Sequence, residues 1–145
     1  MAAERSRRIK RLHFFGEKAR FHHIGLAVKS IRDVSPSSEV IVDSVQKVFL
    51  AFISVGGVKI ELLEPSGADS PMFESLKKNV KLLHICYSVP ELQTAIKECR
   101  KYGFHCIARP VPAAAFHNRK IAWVYSSVYG LIELLESPGK PGQLR

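Results

Sequence analysis

The chain writes one pattern twice, and this repeat restricts its fold more than any other feature. Residues 23–31 read HIGLAVKSI and residues 84–92 read HICYSVPEL. Residues 60–67 read IELLEPSG and residues 132–139 read IELLESPG. Each half opens with a His-led segment and closes with Ile-Glu-Leu-Leu-Glu. Two matched pairs in the same order indicate a duplicated module, and 145 residues suit two small half-domains sharing a core.

The copies differ in length. His84 follows His23 by 61 residues, but Glu133 follows Glu61 by 72, so the first copy is 11 residues shorter between its His and its Glu. The second copy shows what is missing. Residues 90–103, PELQTAIKECRKYG, have Pro90 in a first turn, Gly103 after a last turn, and Leu92, Ala95, Ile96 and Cys99 at helical spacing. They predict a helix over 90–102. The first copy has RDVSPSSEV there, and Pro36 among serines breaks a helix. The first module has thus lost most of its crossover helix. Its sheet face, Ile24, Leu26 and Val28, then needs another cover. The N-terminal arm, through Ile9, Leu12, Phe14 and Phe15, is the expected one, with a partner subunit as the alternative.

The other segments read as strands: 21–28, 38–43, 46–55 and 58–64 in the first half, then 82–89, 104–109, 119–126 and 130–136. Gly56-Gly57 makes a hairpin turn. Ser70-Pro71 starts a short connecting helix over 71–78. Residues 110–118, PVPAAAFHN, read as a loop. The expected fold is α+β. A basic arm (1–20) precedes the first module (21–68), a connector (69–80), the second module (81–137) and a flexible tail (138–145).

Side chains alternate faces along a strand. His23 shares a face with Gly25 and Ala27, and His84 with Cys86 and Ser88, so both histidines lie among small residues. His22 points the other way. Glu61 and Glu133 sit in near-apolar strands, VKIELLE and GLIELLE. A carboxylate buried unpaired there costs several kcal/mol, and no Lys or Arg is placed alike in both halves. Taken singly, such a His is usually structural and such a Glu solvated. Repeated in register, His23, Glu61, His84 and Glu133 offer four ligands for a divalent ion such as Zn, Co, Ni or Mn.

Charge and cysteine content bear on partners and compartment. Of a net +9, the excess is concentrated in Arg5, Arg7, Arg8, Lys10, Arg11, Lys18 and Arg20, set against Glu4 and Glu17. This reads as a solvated tail in preference to a nucleic-acid arm. The basic body favours a small anionic substrate. Cys86, Cys99 and Cys106 form no CxxC pair and are odd in number, which points to a reducing cytoplasm. No apolar run approaches the ~20 residues of a membrane helix. No secretory signal is expected. The arginines of the arm fit an organellar presequence, but Glu4 and Glu17 argue against one.

HHIGLAV, VKIELLEPSGADSP, LLHICYSV and GLIELLE resemble the motifs of the vicinal-oxygen-chelate (glyoxalase-like) superfamily over about residues 21–137. Within it the chain is similar to methylmalonyl-CoA epimerases and lactoylglutathione-lyase-like proteins. The resemblance implies paired βαβββ modules forming a cleft, a divalent metal held by His23, Glu61, His84 and Glu133, and often pairing into a homodimer. It implies proton transfer on the carbon beside a metal-polarised carbonyl of an acyl-CoA or a 2-oxo or 2-hydroxy thioester. Glu133, in the intact half, is the first choice as the proton carrier and Glu61 the second. Two family features are missing. The position of the epimerases' extra base falls near Gln46 or Lys47, and no paired Arg and Asn for glutathione are found. Asn118, Arg119 and Lys120 are candidates for binding an anionic substrate, or else a solvated turn. The competing readings are a non-catalytic small-molecule binder on the same fold and an iron dioxygenase with two His and one Glu, which leaves Glu61 unused.

Overall fold

The computed structural model describes residues 7–138. Its strands are β1 (Arg20–Ala27), β2 (Ile41–Asp43), β3 (Val48–Val55), β4 (Val58–Pro65), β5 (Leu82–Val89), β6 (His105–Pro112), β7 (Lys120–Ser126) and β8 (Gly130–Glu136). The α-helices among the described residues are α1 (Ile31–Val34), α2 (Pro71–Lys77) and α3 (Leu92–Cys99). All eight strands join one sheet in the order β2-β3-β4-β1-β5-β8-β7-β6. Exchanging each strand for its repeat partner leaves that order unchanged when read from the other end. The duplication is therefore a property of the topology as well as of the residues.

Within each module the first strand lies parallel to the fourth, β1 to β4 and β5 to β8. The modules meet where β1 runs antiparallel to β5. Residues from both edge strands, Asp43 on β2 and Ile107 and Ala108 on β6, line a single cavity, so the mixed sheet curls around it.

The opposite face is covered unequally. In the second module Leu92, Ala95, Ile96 and Cys99 of α3 are buried against Val89, Ala122, Val124, Ile132 and Leu134. Each large aliphatic side chain removed from water there contributes roughly 1.5–3 kcal/mol. In the first module α1 is one turn. Ser30 caps it by accepting the Asp33 N–H, and Glu64 Oε1 accepts the Ile31 N–H at 2.7 Å. Ile31 is buried with Ala51 and Leu62, while Leu26, Val28, Phe49, Ile53 and Ile60 stay half-buried.

The arm does not compensate for this. Phe15 is buried in the second module's cluster, with its ring 5.3 Å from that of Tyr87 and 5.2 Å from that of Phe104. Phe14 packs on Tyr102, Phe104 and Tyr129. Ile9 and Leu12 are exposed. Beside α3 the arm's two aromatic side chains meet aromatic rings, those of Tyr87, Tyr102, Phe104 and Tyr129. Residues 1–6 of the arm and 139–145 of the expected tail lie outside the described residues.

Several boundaries move. The strand expected over 38–43 is only Ile41–Asp43, and the one expected over 46–55 begins at Val48, after Lys47 takes a positive φ of 58°. The helix expected over 90–102 is α3 capped at Glu91, with Pro90 before it, and it tightens into a 3₁₀ turn over Arg100–Tyr102. The segment read as a loop over 110–118 splits: β6 runs on to Pro112, and Ala114–Phe116 form a 3₁₀ turn. Prolines are tolerated in β6 because it is an edge strand.

Replacing Phe15 by Ala is expected to cost ~3 kcal/mol or more, as for other buried aromatics. Ile9→Ala should change stability by no more than ~0.5 kcal/mol. Urea unfolding of the two variants checks both.

Candidate functional site

Each module supplies its site residues from equivalent strands. His23 lies on β1 and Glu61 on the adjacent β4; His84 lies on β5 and Glu133 on β8. The parallel registers set Glu61 beside Gly25 and Glu133 beside Cys86. The antiparallel joint then sets His23 opposite Cys86 and Gly25 opposite His84. The residue two places after each histidine is thus a small one facing the other module's imidazole. A Cβ at Gly25 would overlap the His84 ring, standing only 2.7 Å from Nε2. The small-residue face read from the sequence makes room for the two rings.

The four side chains expected to meet do so, with none more than 4% exposed. Their ligand atoms all lie within 4.8 Å of one another. His23 Nε2 is 3.3 Å from His84 Nε2, 3.5 Å from Glu61 Oε1 and 3.1 Å from Glu133 Oε1. His84 Nε2 is 3.6 Å from Glu61 Oε1 and 3.5 Å from Glu133 Oε1. These separations bracket ~3.4 Å, the edge of a tetrahedron whose metal–ligand bonds are ~2.1 Å. Glu133 Oε1 is fully buried and no N–H is aimed at it with hydrogen-bond geometry. An acceptor of this kind needs a cation. Two imidazoles and two carboxylates are a borderline-hard donor set, and the residues fit a divalent ion.

The electrostatics agree with that fit. Burial opposes charge on His23, but the adjacent Glu133 and Glu61 outweigh it and raise its pKa to about 9. For Glu133 burial also acts first, raising the pKa, yet the two histidines pull it down to about 2. Glu61 is raised, by burial and then by the charge of Glu133, with His23 acting against both.

Three features escaped the sequence reading. The first is His22, expected to point away from the site. The β1–β5 register slips between Phe21 and His23, a β-bulge, and His22 Nδ1 comes within 2.8 Å of His23 Nδ1. Burial, then the charge of His23, lowers the His22 pKa to about 4 and keeps it neutral. The Nδ1–Nδ1 contact leaves His23 Nε2 facing the cluster, the outer-shell orientation metal-binding imidazoles require. Cys86 lies next to both, but burial and then the charge of Glu133 push its thiol well up, which keeps it protonated.

The second is a pair of aromatics. Phe52 on β3 is paired with Glu61 and stands edge-on to His23 at 5.7 Å; Trp123 on β7 is paired with Glu133 and stands edge-on to His84 at 4.8 Å. Ala51-Phe52-Ile53 and Ala122-Trp123-Val124 are a third repeated pair that carried this signal. The third is Asp43, buried in the cavity wall, where its Oδ1 accepts the Val45 and Gln46 N–H groups. It has no repeat partner to mark it.

The cavity encloses about 450 Å³, and Glu61, His84 and Glu133 form part of its wall. Asn118, Arg119 and Lys120 do not line it. Asn118 and Lys120 are exposed. Arg119 donates to the carbonyls of Phe116 and Glu136.

A sequence profile of the Glyoxalase/Bleomycin resistance protein/Dioxygenase superfamily matches residues 22–123. The chain belongs to this superfamily. It is 33% identical over 132 residues to Bacillus subtilis YqjC, a protein described as uncharacterized, which covers 83% of this chain and 94% of that protein. It is 28% identical over 128 residues to the mitochondrial methylmalonyl-CoA epimerase of Mus musculus, covering 79% of this chain and 71% of the relative. Among solved structures, the hypothetical protein BH1468 of Bacillus halodurans superposes with TM-score 0.71 at 29% identity, over 88% of this chain and all of that one. The methylmalonyl-CoA epimerase of Mycobacterium tuberculosis superposes with TM-score 0.70 at 18% identity, over 82% and 88%, a likeness of fold. Among the described residues no helix is long and apolar enough to cross a membrane.

Two outcomes are expected. Gly25→Ala should displace the His84 ring and weaken zinc binding by at least ~10-fold, as disturbed ligand positioning does; chelator competition measures this. The second concerns pH. The His23 pKa, about 9 when folded, stands above its ordinary 6.5, so its contribution is complete below pH 6.5 and lost as pH rises to 9. The raised Glu61 acts in the same direction. The metal-free protein should therefore melt lower at pH 9 than at pH 6.5, and zinc, which displaces the protons, should remove most of the difference. Thermal melts with and without zinc decide it.

Proposed function

We propose that this superfamily member is a divalent-metal-dependent isomerase or epimerase, or a lyase of the lactoylglutathione-lyase kind, moving a proton on the carbon beside a carbonyl group. One observation carries the reading: four buried ligand atoms within 4.8 Å, three of their residues lining a partly open cavity. His23, Glu61, His84 and Glu133 would hold the ion. When bound, a divalent cation polarises a carbonyl oxygen and so acidifies the neighbouring C–H.

The residues of the chain divide the remaining work. His23 is fully buried behind the cavity wall and serves as an anchor. Glu133 Oε1 lies 3.1 and 3.5 Å from the two imidazoles, and Glu61 Oε1 3.5 and 3.6 Å. Of the two carboxylates, Glu61 stands slightly farther from the imidazoles and is the one whose pKa burial raises. We therefore assign proton transfer to Glu61 Oε1 and anchoring to Glu133, reversing the preference drawn from the intact second module. A general base of this kind contributes typically ~10²–10⁴-fold. Leu50, Leu63 and Trp123 in the wall exclude water that would compete for the proton.

An anionic carrier outside the cavity suits the surroundings. Lys77, Lys78 and Lys81 are exposed next to Val80 and Leu82, which line the cavity. The epimerase relatives act, by name, on methylmalonyl-CoA, and an acyl thioester of a phosphorylated carrier is the substrate class we favour. The apolar wall also favours a second reading, a ligand-sequestering protein on the same fold.

Glu61→Gln should keep zinc bound but slow deuterium exchange at the reacting carbon of an acyl-CoA panel by ~10²-fold or more. Full exchange in that variant, or a wild-type protein that binds ligands without stoichiometric metal or exchange, overturns the proposal.

A further inference from the structure

Beside the four-residue cluster lies a second group of metal-ligating atoms that the proposed reaction does not use. His22, His23 and Cys86 each offer a ligand atom, and these lie within 4.8 Å of one another. The two imidazoles turn Nδ1 toward each other at 2.8 Å. The bulge in β1 creates this group, because regular alternation would send His22 to the opposite face. Two ligands on opposite sides of one ion, with bonds of ~2.0–2.3 Å, stand ~4.3 Å apart, so a small shift of the His22 ring makes room for an ion. The first cluster has two carboxylates; here a sulfur takes their place. Thiolate sulfur selects soft ions such as Cu(I).

The surroundings choose the charge of the ion. Cys86 is fully buried among Ala113, Phe116, Ile121 and Leu135. The rings of His22 and His23 lie 5.5 and 5.8 Å from that of Phe116. An added charge in such apolar surroundings is costly. A monovalent ion avoids that cost by exchange: the Cys86 S–H bond breaks, an S–Cu(I) bond forms, and the proton leaves to solvent with the charge of the nest unchanged. A divalent ion in the same exchange adds a full positive charge, facing Lys59 and Arg119, which already oppose a charge on His22. Burial and Glu133 hold the thiol protonated, and a cation bonded to sulfur answers both as the proton does. His22 is half-buried and gives the ion its way in.

We propose that His22 and Cys86, with His23 Nδ1 beside them, form a second site for a soft monovalent ion of the Cu(I) kind, and that this ion is a rival of the divalent one. The rivalry has a structural cause. His23 turns Nε2 to the four-residue cluster, and its Nδ1 contact with His22 holds it so. An ion bonded to His22 Nδ1 takes that contact away, and loss of such an outer-shell partner typically weakens a metal site ~10–100-fold. By linkage the divalent ion weakens soft-ion binding by the same factor. Neither His22 nor Cys86 lines the cavity, so the soft ion acts on the divalent site from outside the substrate space. The soft-ion site stands whatever the reaction; only the rivalry rests on the divalent-ion reading.

The test uses the full chain carrying Cys106→Ser, which removes the exposed thiol, kept reduced and free of oxygen. Cu(I) is titrated against a chromogenic Cu(I) chelator, and X-ray absorption at the copper edge reports the ligands. One Cu(I) per chain is expected, bonded to one sulfur and at least one imidazole. Cys86→Ser and His22→Phe, each added to that background, should weaken Cu(I) binding at least tenfold. The second keeps a ring against Phe116 and probes the site without altering the core. Bound Cu(I) should also lower zinc affinity at least tenfold, and fail to do so in Cys86→Ser. No bound Cu(I), copper without a sulfur ligand, a Cu(I) affinity unmoved by Cys86→Ser or His22→Phe, or a zinc affinity untouched by bound Cu(I) overturns the inference. A chain that binds Cu(I) through sulfur and imidazole but takes up no zinc upholds the soft-ion site and removes the divalent-ion reading instead.

Discussion

Two imidazoles and two carboxylates buried at one point are what the rest of this structure has to accommodate. Taking an ion out of water costs several kcal/mol, recovered only with close partners. Here the partners are the same residues, one set from each module, and none survives alone: His23 without Glu133 is a buried cation, and Glu133 without a cation is a buried anion. Small residues at Gly25 and Cys86, aromatic neighbours at Phe52 and Trp123, and the His22 contact to His23 all serve to hold this cluster. The duplication makes it possible, because a pseudo-twofold axis between β1 and β5 brings equivalent residues from both halves to one place.

The two modules are equal at the site and unequal behind it. The second has α3 and the inserted Phe14 and Phe15 over its outer face. The first has one helical turn and a row of half-buried aliphatic side chains. The sheet registers that carry the four site residues are continuous through both modules, so loss of a covering helix leaves their geometry intact. Backbone hydrogen bonds between β1, β4 and β5 position His23 and Glu61, and a helix on the far face adds stability without adding geometry.

Superfamily membership places the chain among proteins of several chemistries. A donor set with two carboxylates suits a hard or borderline divalent ion. The lysines near α2 lie outside, where a charged carrier can remain hydrated. Separating the two regions reconciles a basic body with an acidic, apolar interior.

The residue order alone marked the duplication, the α+β class, the loss of the first crossover helix and the four residues His23, Glu61, His84 and Glu133 that meet in one place. Those features are local or repeated: strand alternation has a period of two, Pro36 breaks a helix wherever it stands, and a His or Glu recurring in register marks itself. Tertiary structure alone decided that the arm packs on the second module, that a bulge turns His22 toward His23, that β6 runs through Pro110 and Pro112, and that Asp43 faces the cavity. Each of these depends on which distant strand or ring a residue meets. Such contacts are set by competition among surfaces across the whole fold, and no spacing along the chain encodes its outcome.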